Sequence, residues 1–419
     1  MKVAVVGSGV SGLVCAHVLD ARHDVTLFEA DSRLGGHAHT QRVVVDGREV
    51  SVDTGFIVYN ERNYPLLTRL FRDLGVATRP SDMSFAVADD NEDLEWSGSS
   101  LRGLFAQPRN VVRPAFWGML RDIARFNRHA RRDVEAHLLH PDLSLATYLD
   151  RGHYGRAFRE WYLVAMGAAI WSADPETFSD FPAASFLRFF DNHGLLGVRG
   201  RPEWRSVVGG SSTYVEALSR RLRGRILTST PVSAIRRLGT GVLVSSLAGE
   251  EEEFDHVIVA THSDQALSLL RDADPVEQDV LSALRYQDNE AVLHTDPSVL
   301  ARRPAARASW NWRRIPESRE ATLTYDLSRL QGLSGRPLYL TLNQSDAIDP
   351  TSVISVTRYS HPVFDSTALR AQVRHGEISG RRGVSFAGAY WGYGFHEDGA
   401  ASAMRVCAHL ERDVDVVGA

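Results

Sequence analysis

Lys2–Val6 is a short, mostly β-branched run; Gly7-Ser8-Gly9-Val10-Ser11-Gly12 follows it, and Leu13–Leu19 then reads as a helix. The run has the pattern of a strand covered on both faces. A strand, a Gly-x-Gly-x-x-Gly turn and a helix, in that order, open a βαβ unit that binds a dinucleotide. Gly7 permits the tight turn, Gly9 lets the backbone approach a pyrophosphate, and Gly12 lets helix and strand pack closely. The helix start, with Ser11 in its first turn, offers unpaired N–H groups and a partial positive charge to phosphates. A second strand, Asp24–Glu29, ends in an acid followed by Ala30. Glu29 is placed to accept hydrogen bonds from a ribose diol and would repel a 2′-phosphate, so NADP is disfavoured.

The 419-residue chain is too long for one ordinary core. Helical patterns rich in aromatics and arginine run from Leu66 to about Glu203. Phe254–Ala260 reads as another parallel strand, residues 290–360 alternate as in a sheet, Val384–Ala387 reads as the last strand, and Ala400–Leu410 as a closing helix. The expectation is an α/β chain. Its discontinuous, Rossmann-like dinucleotide-binding domain spans 1–65, 205–265 and 380–419. An inserted α+β substrate domain spans 66–204 and 266–379, with a helical part and a mixed sheet. Apolar residues make up 43%, charged residues 24%, and the net charge is −5; this suits a water-soluble protein and argues against nucleic acid. Cys15 and Cys407 fall in predicted helices and suggest neither a disulfide framework nor a metal site. The N-terminus enters a strand at once, without a cleavable leader, and the longest apolar run, Trp161–Trp171, is too short to span a membrane. A cytoplasmic location is expected.

Three separated motifs carry a resemblance. Arg33-Leu34-Gly35-Gly36-His37, just after the acid, resembles the second motif of the FAD-dependent amine oxidase and phytoene desaturase superfamily. Phe386-Ala387-Gly388 and Gly392-Tyr393-Gly394-Phe395-His396-Glu397-Asp398-Gly399 look like its third, where a second helix start faces the flavin. Pro231-Val232 sits where that superfamily contacts adenine through its backbone. The resemblance implies a non-covalent FAD and a nucleotide domain of the glutathione-reductase type. It brings Ala389, Phe395, His396 and Glu397 to the flavin, along with Gly55 and Phe56 of an Asp-Thr-Gly-Phe turn. Ala389 stands where many amine oxidases have a ribityl-binding acid. Asp53–Arg62, Met166–Trp171, Phe189–Leu196 and Gly392–Gly399 are similar to a bacterial group of predicted NAD/FAD-binding proteins, itself similar to the flavin domain of plant cyclopropane-fatty-acid synthases. That likeness implies a lipid or other apolar substrate, such as a methylated acyl chain to be desaturated, and a functional link to a cyclopropane-synthase-like methyltransferase. Amine oxidases of this fold commonly hold a water with a lysine; the sole lysine here is Lys2, in the first strand. Amine oxidation and flavin-dependent double-bond isomerisation stay as alternatives, as does a non-enzymatic flavoprotein that organises a partner.

Catalytic candidates are Tyr59, Glu61 and His193, each in a motif expected near the ring; an ion pair of Glu61 with Arg62 is the competing role. Tyr390, Trp391 and Tyr393 are assigned to the substrate wall, with Trp171 of the apolar helix and Gly210, where the chain returns to the nucleotide domain. Arg102, Arg109, Arg113, Arg121, Arg125, Arg128, Arg131 and Arg132 crowd one stretch with aromatic residues and few acids. Such a surface can dock on anionic membrane without spanning it, at the inner face of the membrane for a cytoplasmic protein.

Overall fold

The computed structural model describes residues 1–140, 142–171, 180–197, 200–315 and 321–417. In chain order, the elements that position the site are β1 (Lys2–Val6), α1 (Val10–Leu19), β2 (Asp24–Phe28), α2 (Pro65–Leu74), α3 (Pro114–Glu135) and α4 (Ala165–Trp171). They continue with α5 (Ala183–Asn192), β3 (His256–Val259), β4 (Tyr286–His294), β5 (Val353–Pro362), β6 (Val384–Phe386) and α6 (His396–Val417).

Five parallel strands form one sheet in the order Arg225–Leu227, β2, β1, β3, β6. Val3, Ala4 and Val5 are fully buried, as expected of a central strand covered on both faces. Helix α1 lies against α6, and the two carry small residues where they meet. Ser11 Oγ donates to the Gly399 carbonyl at 3.0 Å, and a side chain at Gly399 would meet Val10 and Ser11 within 2.9 Å. The first and last glycine-rich motifs, nearly four hundred residues apart in sequence, are therefore in contact. Cys15 and Cys407 face one another in this contact as buried free thiols.

A second sheet has seven strands, in the order β5, β4, Tyr339–Leu342, Ala321–Asp326, Trp310–Arg314, Phe85–Asp89 and Leu94–Ser97. Its last two strands come from the stretch read as helical. Their five- and four-residue lengths leave no periodicity to detect, and Phe85–Asp89 joins the sheet by parallel pairing with the distant Trp310–Arg314 while Leu94–Ser97 pairs on its other side. The run expected as one strand, 254–260, is divided. Glu251–Phe254 ends a separate antiparallel sheet with Val232–Arg237 and Val242–Ser246, and β3 begins after Asp255. Helix α6 starts at His396, four residues before the expected Ala400, so Glu397 and Asp398 occupy its first turn. Acids there are favoured by the helix dipole.

The arginines of the 102–132 stretch are less isolated than the sequence suggests, because acids before the stretch and acids within α3 both reach them. Arg109 and Arg113 pair with Asp93 and Glu92, Arg125 with Asp122, and Arg132 with Asp133.

Candidate functional site

A cavity of about 1260 Å³ runs between the parallel sheet and the seven-stranded sheet. That exceeds the usual 300–1,000 Å³ of a small-ligand pocket and suits a dinucleotide together with a second molecule. At one end its lining holds Gly7, Gly9, Ser11, Glu29, Ala30, Arg33, Gly36 and Val232. These lie at the carboxyl ends of parallel strands, where open α/β sheets bind ligands.

The fit to FAD can be tested on the glycines. Gly9 is the N-cap of α1 and supplies no capping side chain, so the first-turn N–H groups keep their capacity for an anion. A Cβ built on Gly9 meets nothing within 4 Å; it would stand in the cavity. A Cβ built on Gly36, which has φ +56°, would come to 3.1 Å from the Gly9 Cα, and together the two glycines form a backbone cradle with no side chain in it. Gly12 and Gly35 support this cradle from behind. A side chain on Gly12 would come to 1.8 Å from the Gly7 carbonyl oxygen, and one on Gly35 to 2.7 Å from that of Ala38. Glu29 is held by Ser8 and by the Asp31 amide, the Ser8 N–H at 2.9 Å. These groups would hold the adenosine and pyrophosphate of FAD.

Farther in, Gly55, Phe56, Gly388, Ala389, Phe395 and His396 line the cavity. A side chain on Gly55 would strike the His37 carbonyl at 2.1 Å, which the Phe56 N–H uses at 2.7 Å. His396 stacks on Phe56 at 3.8 Å and its Nε2 meets the Tyr214 hydroxyl at 3.1 Å; complete burial holds it down to about 3. Glu397 lies elsewhere: its two oxygens accept from the N–H groups of Leu66 and Leu67 and cap α2. It is a structural clasp, not a cavity residue. Asp398 turns back to the Phe395 N–H.

Of the three catalytic candidates, the cavity contains His193 alone. Its ring stacks on Phe189 at 3.9 Å, and Nδ1 sits 2.9 Å from the Phe189 carbonyl. A carbonyl only accepts, so Nδ1 carries the proton and Nε2 keeps its lone pair. Burial holds the ring down to about 4, neutral near pH 7. Tyr59 is instead a core residue, edge-on to Phe71 at 5.2 Å. Glu61 is largely exposed and faces Arg205 at 3.9 Å, not Arg62. On the substrate side, Trp171, Tyr390 and Tyr393 line the cavity. Trp391 is packed against His375 instead. Gly210 serves the backbone: with φ +92° and Thr40 at 2.3 Å from any Cβ, it lets Ser211 reach Asp53. That buried carboxylate accepts from the Ser211 amide and hydroxyl and from Thr40, and burial raises it to about 6.

The residues missed by sequence reading are chiefly histidines. His262 and His361 join His37 in the lining, their rings 5.9 and 5.6 Å from that of His37. His361 Nδ1 accepts from the Asn289 amide at 2.8 Å, and His262 stacks on Tyr286 at 4.2 Å. Burial depresses all three, His361 to about 4. His262 directly follows a parallel strand, and that position was the available signal. His361 comes from the other sheet and had none.

The sequence matches the model of a family described as flavin containing amine oxidoreductase over residues 10–296. It is 29% identical over 275 residues to AofH of Mycobacterium tuberculosis, a protein named as a flavin-containing monoamine oxidase, covering 62% of this chain and 56% of that one. The chain thus spans little more than half the length of that curated relative. Solved structures match nearly end to end, two of them as follows. One is from Exiguobacterium sp. 255-15 and is named as a protoporphyrinogen oxidase (TM-score 0.69, 20% identity, 98% and 99% covered). The other is a CLA-producing fatty acid isomerase from P. acnes (TM-score 0.66, 15% identity, 97% of each chain). At those identities the likeness is one of fold. With more than half of its residues inside the family model, the chain belongs to the flavin-containing amine oxidoreductases, and FAD is its cofactor.

Proposed function

We propose that this protein is an FAD-dependent oxidoreductase that takes hydride from an unactivated C–H of a long apolar substrate, a fatty acyl chain of a phospholipid being the class that fits best. The wall of the cavity carries the reading. The seven-stranded sheet contributes Phe85, Trp96, Trp310, Tyr325, Leu340 and Leu342. Helices α4 and α5 add Met166, Ala169, Ile170, Trp171 and Phe189. The carboxylates among the described lining residues are Glu29, at the dinucleotide end, and Asp82 and Glu203. Asp82 is exposed, and Glu203 is engaged by Arg205 at 2.6 Å. An ammonium entering this wall would lose water without gaining a paired charge, whereas an alkyl chain gains about 0.8 kcal/mol per buried CH₂.

When bound, FAD supplies the hydride acceptor. The chain supplies the rest: an apolar wall that holds the alkyl segment and excludes water, and the His193 Nε2 lone pair, which can take a proton from the neighbouring carbon. The family and the likeness to AofH favour a second reading, amine oxidation.

Anaerobic titration separates the two. FAD-loaded protein is expected to lose its flavin absorbance with micellar phospholipid bearing unsaturated or methylated chains, and to keep it with mono- and diamines. Bleaching by amines alone would replace the proposal with the second reading. Ile170→Trp, which narrows the wall, is expected to slow lipid-driven reduction at least tenfold (about 1.4 kcal/mol) with FAD affinity unchanged.

A further inference from the structure

Residues 101–128 form a ridge whose tip is apolar and whose flank is basic. Leu101 and Val112 are 78% and 80% exposed, Val111 and Trp117 about half. They are contiguous. Trp117 Nε1 donates to the Val111 carbonyl at 2.8 Å. The Trp117 ring packs 5.7 Å from that of Phe105, and the Phe105 N–H donates to the Leu101 carbonyl one turn back. Along α3 the spacing of four, three and four residues stacks Trp117, Arg121, Ala124 and Arg128 on one face, and all four are exposed. Arg102 stands exposed beside Leu101. Among the described residues, no carboxylate pairs with Arg102 or Arg128, and Arg121 has only Asp122 at 3.8 Å. Arg125, paired with Asp122, lies off that face, and Arg132, one turn beyond Arg128, is paired with Asp133.

The ridge adjoins the cavity. Gly98 and Ser99 line it, and Ser100 caps the short helix that begins at Leu101, accepting from the Gly103 N–H at 3.0 Å. Phe116, on the inner face of α3, packs against the cavity residue Trp96 at 6.3 Å. One residue, Ser100, therefore separates the cavity wall from the apolar tip along the chain.

We propose that this ridge docks the protein on a lipid bilayer rich in anionic headgroups, with Leu101, Val111, Val112 and Trp117 among the acyl chains and Arg102, Arg121 and Arg128 at the phosphates. Apolar side chains flanked by exposed cations match both layers of such a surface; a purely polyanionic partner would match only the arginines. No helix among the described residues is long and apolar enough to cross a membrane, so the contact is peripheral. The inference deepens the lipid-substrate reading but rests on the surface alone.

Sedimentation of the FAD-loaded full chain with vesicles tests it. Vesicles of phosphatidylcholine with phosphatidylglycerol are expected to bind at least tenfold more tightly than phosphatidylcholine alone. The triple change Arg102→Gln, Arg121→Gln, Arg128→Gln and the double change Leu101→Asp, Val112→Asp should each weaken binding tenfold or more. Leu247→Asp, at an exposed apolar position of the small antiparallel sheet, should not. Equal binding to both vesicle types, or variants that bind like the parent, would overturn the proposal. Vesicle binding without flavin bleaching by lipid would keep the ridge and remove the substrate reading; bleaching in micelles without vesicle binding would do the reverse.

Discussion

Gly9→Glu is expected to yield a folded protein that no longer retains FAD. Gly9 has φ −61° and ψ 176°, a conformation open to any residue, and its Cβ would meet nothing within 4 Å. The fold gives no reason to object. The new carboxylate would stand at the start of α1, against the cradle shared with Gly36, where two phosphates are to sit. Excluding the pyrophosphate and setting like charges together should weaken FAD by at least a hundredfold, about 3 kcal/mol. Gly12→Val makes the contrast. Its Cβ would lie 1.8 Å from the Gly7 carbonyl, so β1 and α1 must separate, and the chain should lose several kcal/mol of stability along with the cofactor. Circular dichroism and FAD titration of the two variants check the pair: native-like melting for Gly9→Glu, and early melting for Gly12→Val. A Gly9→Glu protein that binds FAD like the parent would displace the pyrophosphate from this site.

Acid is expected to destabilise the protein steeply from pH 6.5 downwards. Burial holds His193, His294 and His361 down to about 4 and His396 to about 3, while an unfolded histidine takes its proton near 6.5. Between those values the unfolded chain binds protons that the folded chain refuses, so stability falls as pH falls, and the loss is complete below about 4 for the first three and below about 3 for His396. Asp53 and Asp398 act oppositely. Burial raises both from 3.8 to about 6, so they stay protonated in the fold where the unfolded chain would ionise them, and their contribution grows as pH falls from 6 to 3.8. Each such group is worth ~3 kcal/mol. Four histidines against two aspartates leave a net loss of several kcal/mol, a large part of an ordinary domain's 5–15 kcal/mol. Calorimetry should show Tm dropping by about 5 °C between pH 7 and pH 5, with net proton uptake on unfolding. A flat or rising Tm in that window would contradict the histidine burial.

What could be read from sequence follows the range of the interactions. The turn at Gly7–Gly12 is fixed by residues next to one another, and its glycines have steric reasons visible one at a time. The Arg33–Gly36 and Gly392–Gly399 runs carried the flavin through resemblance, and their contact with the first motif needed only the fold. Tyr59, Glu61, Glu397, Trp391 and Gly210 were misplaced because a motif near a site contains packing residues as well as site residues, and only burial tells them apart. Glu397 reads as a flavin contact until α2 presents two N–H groups to it. His361 could not be found at all: it reaches His37 from a different sheet, through pairing of β5 with β4. Of the acids that quench half of the arginine stretch, Asp93 and Glu92 reach Arg109 and Arg113 from outside it, whereas Asp122 and Asp133 stand within it.

The account rests on one backbone clasp closing around a flavin dinucleotide, and titration of FAD into protein stripped of bound ligand tests it most directly. One saturable site per chain is predicted, competed by ADP, with FAD released intact by denaturation as expected of a cofactor held without a covalent bond. Absence of saturable FAD binding by correctly folded protein would contradict the account.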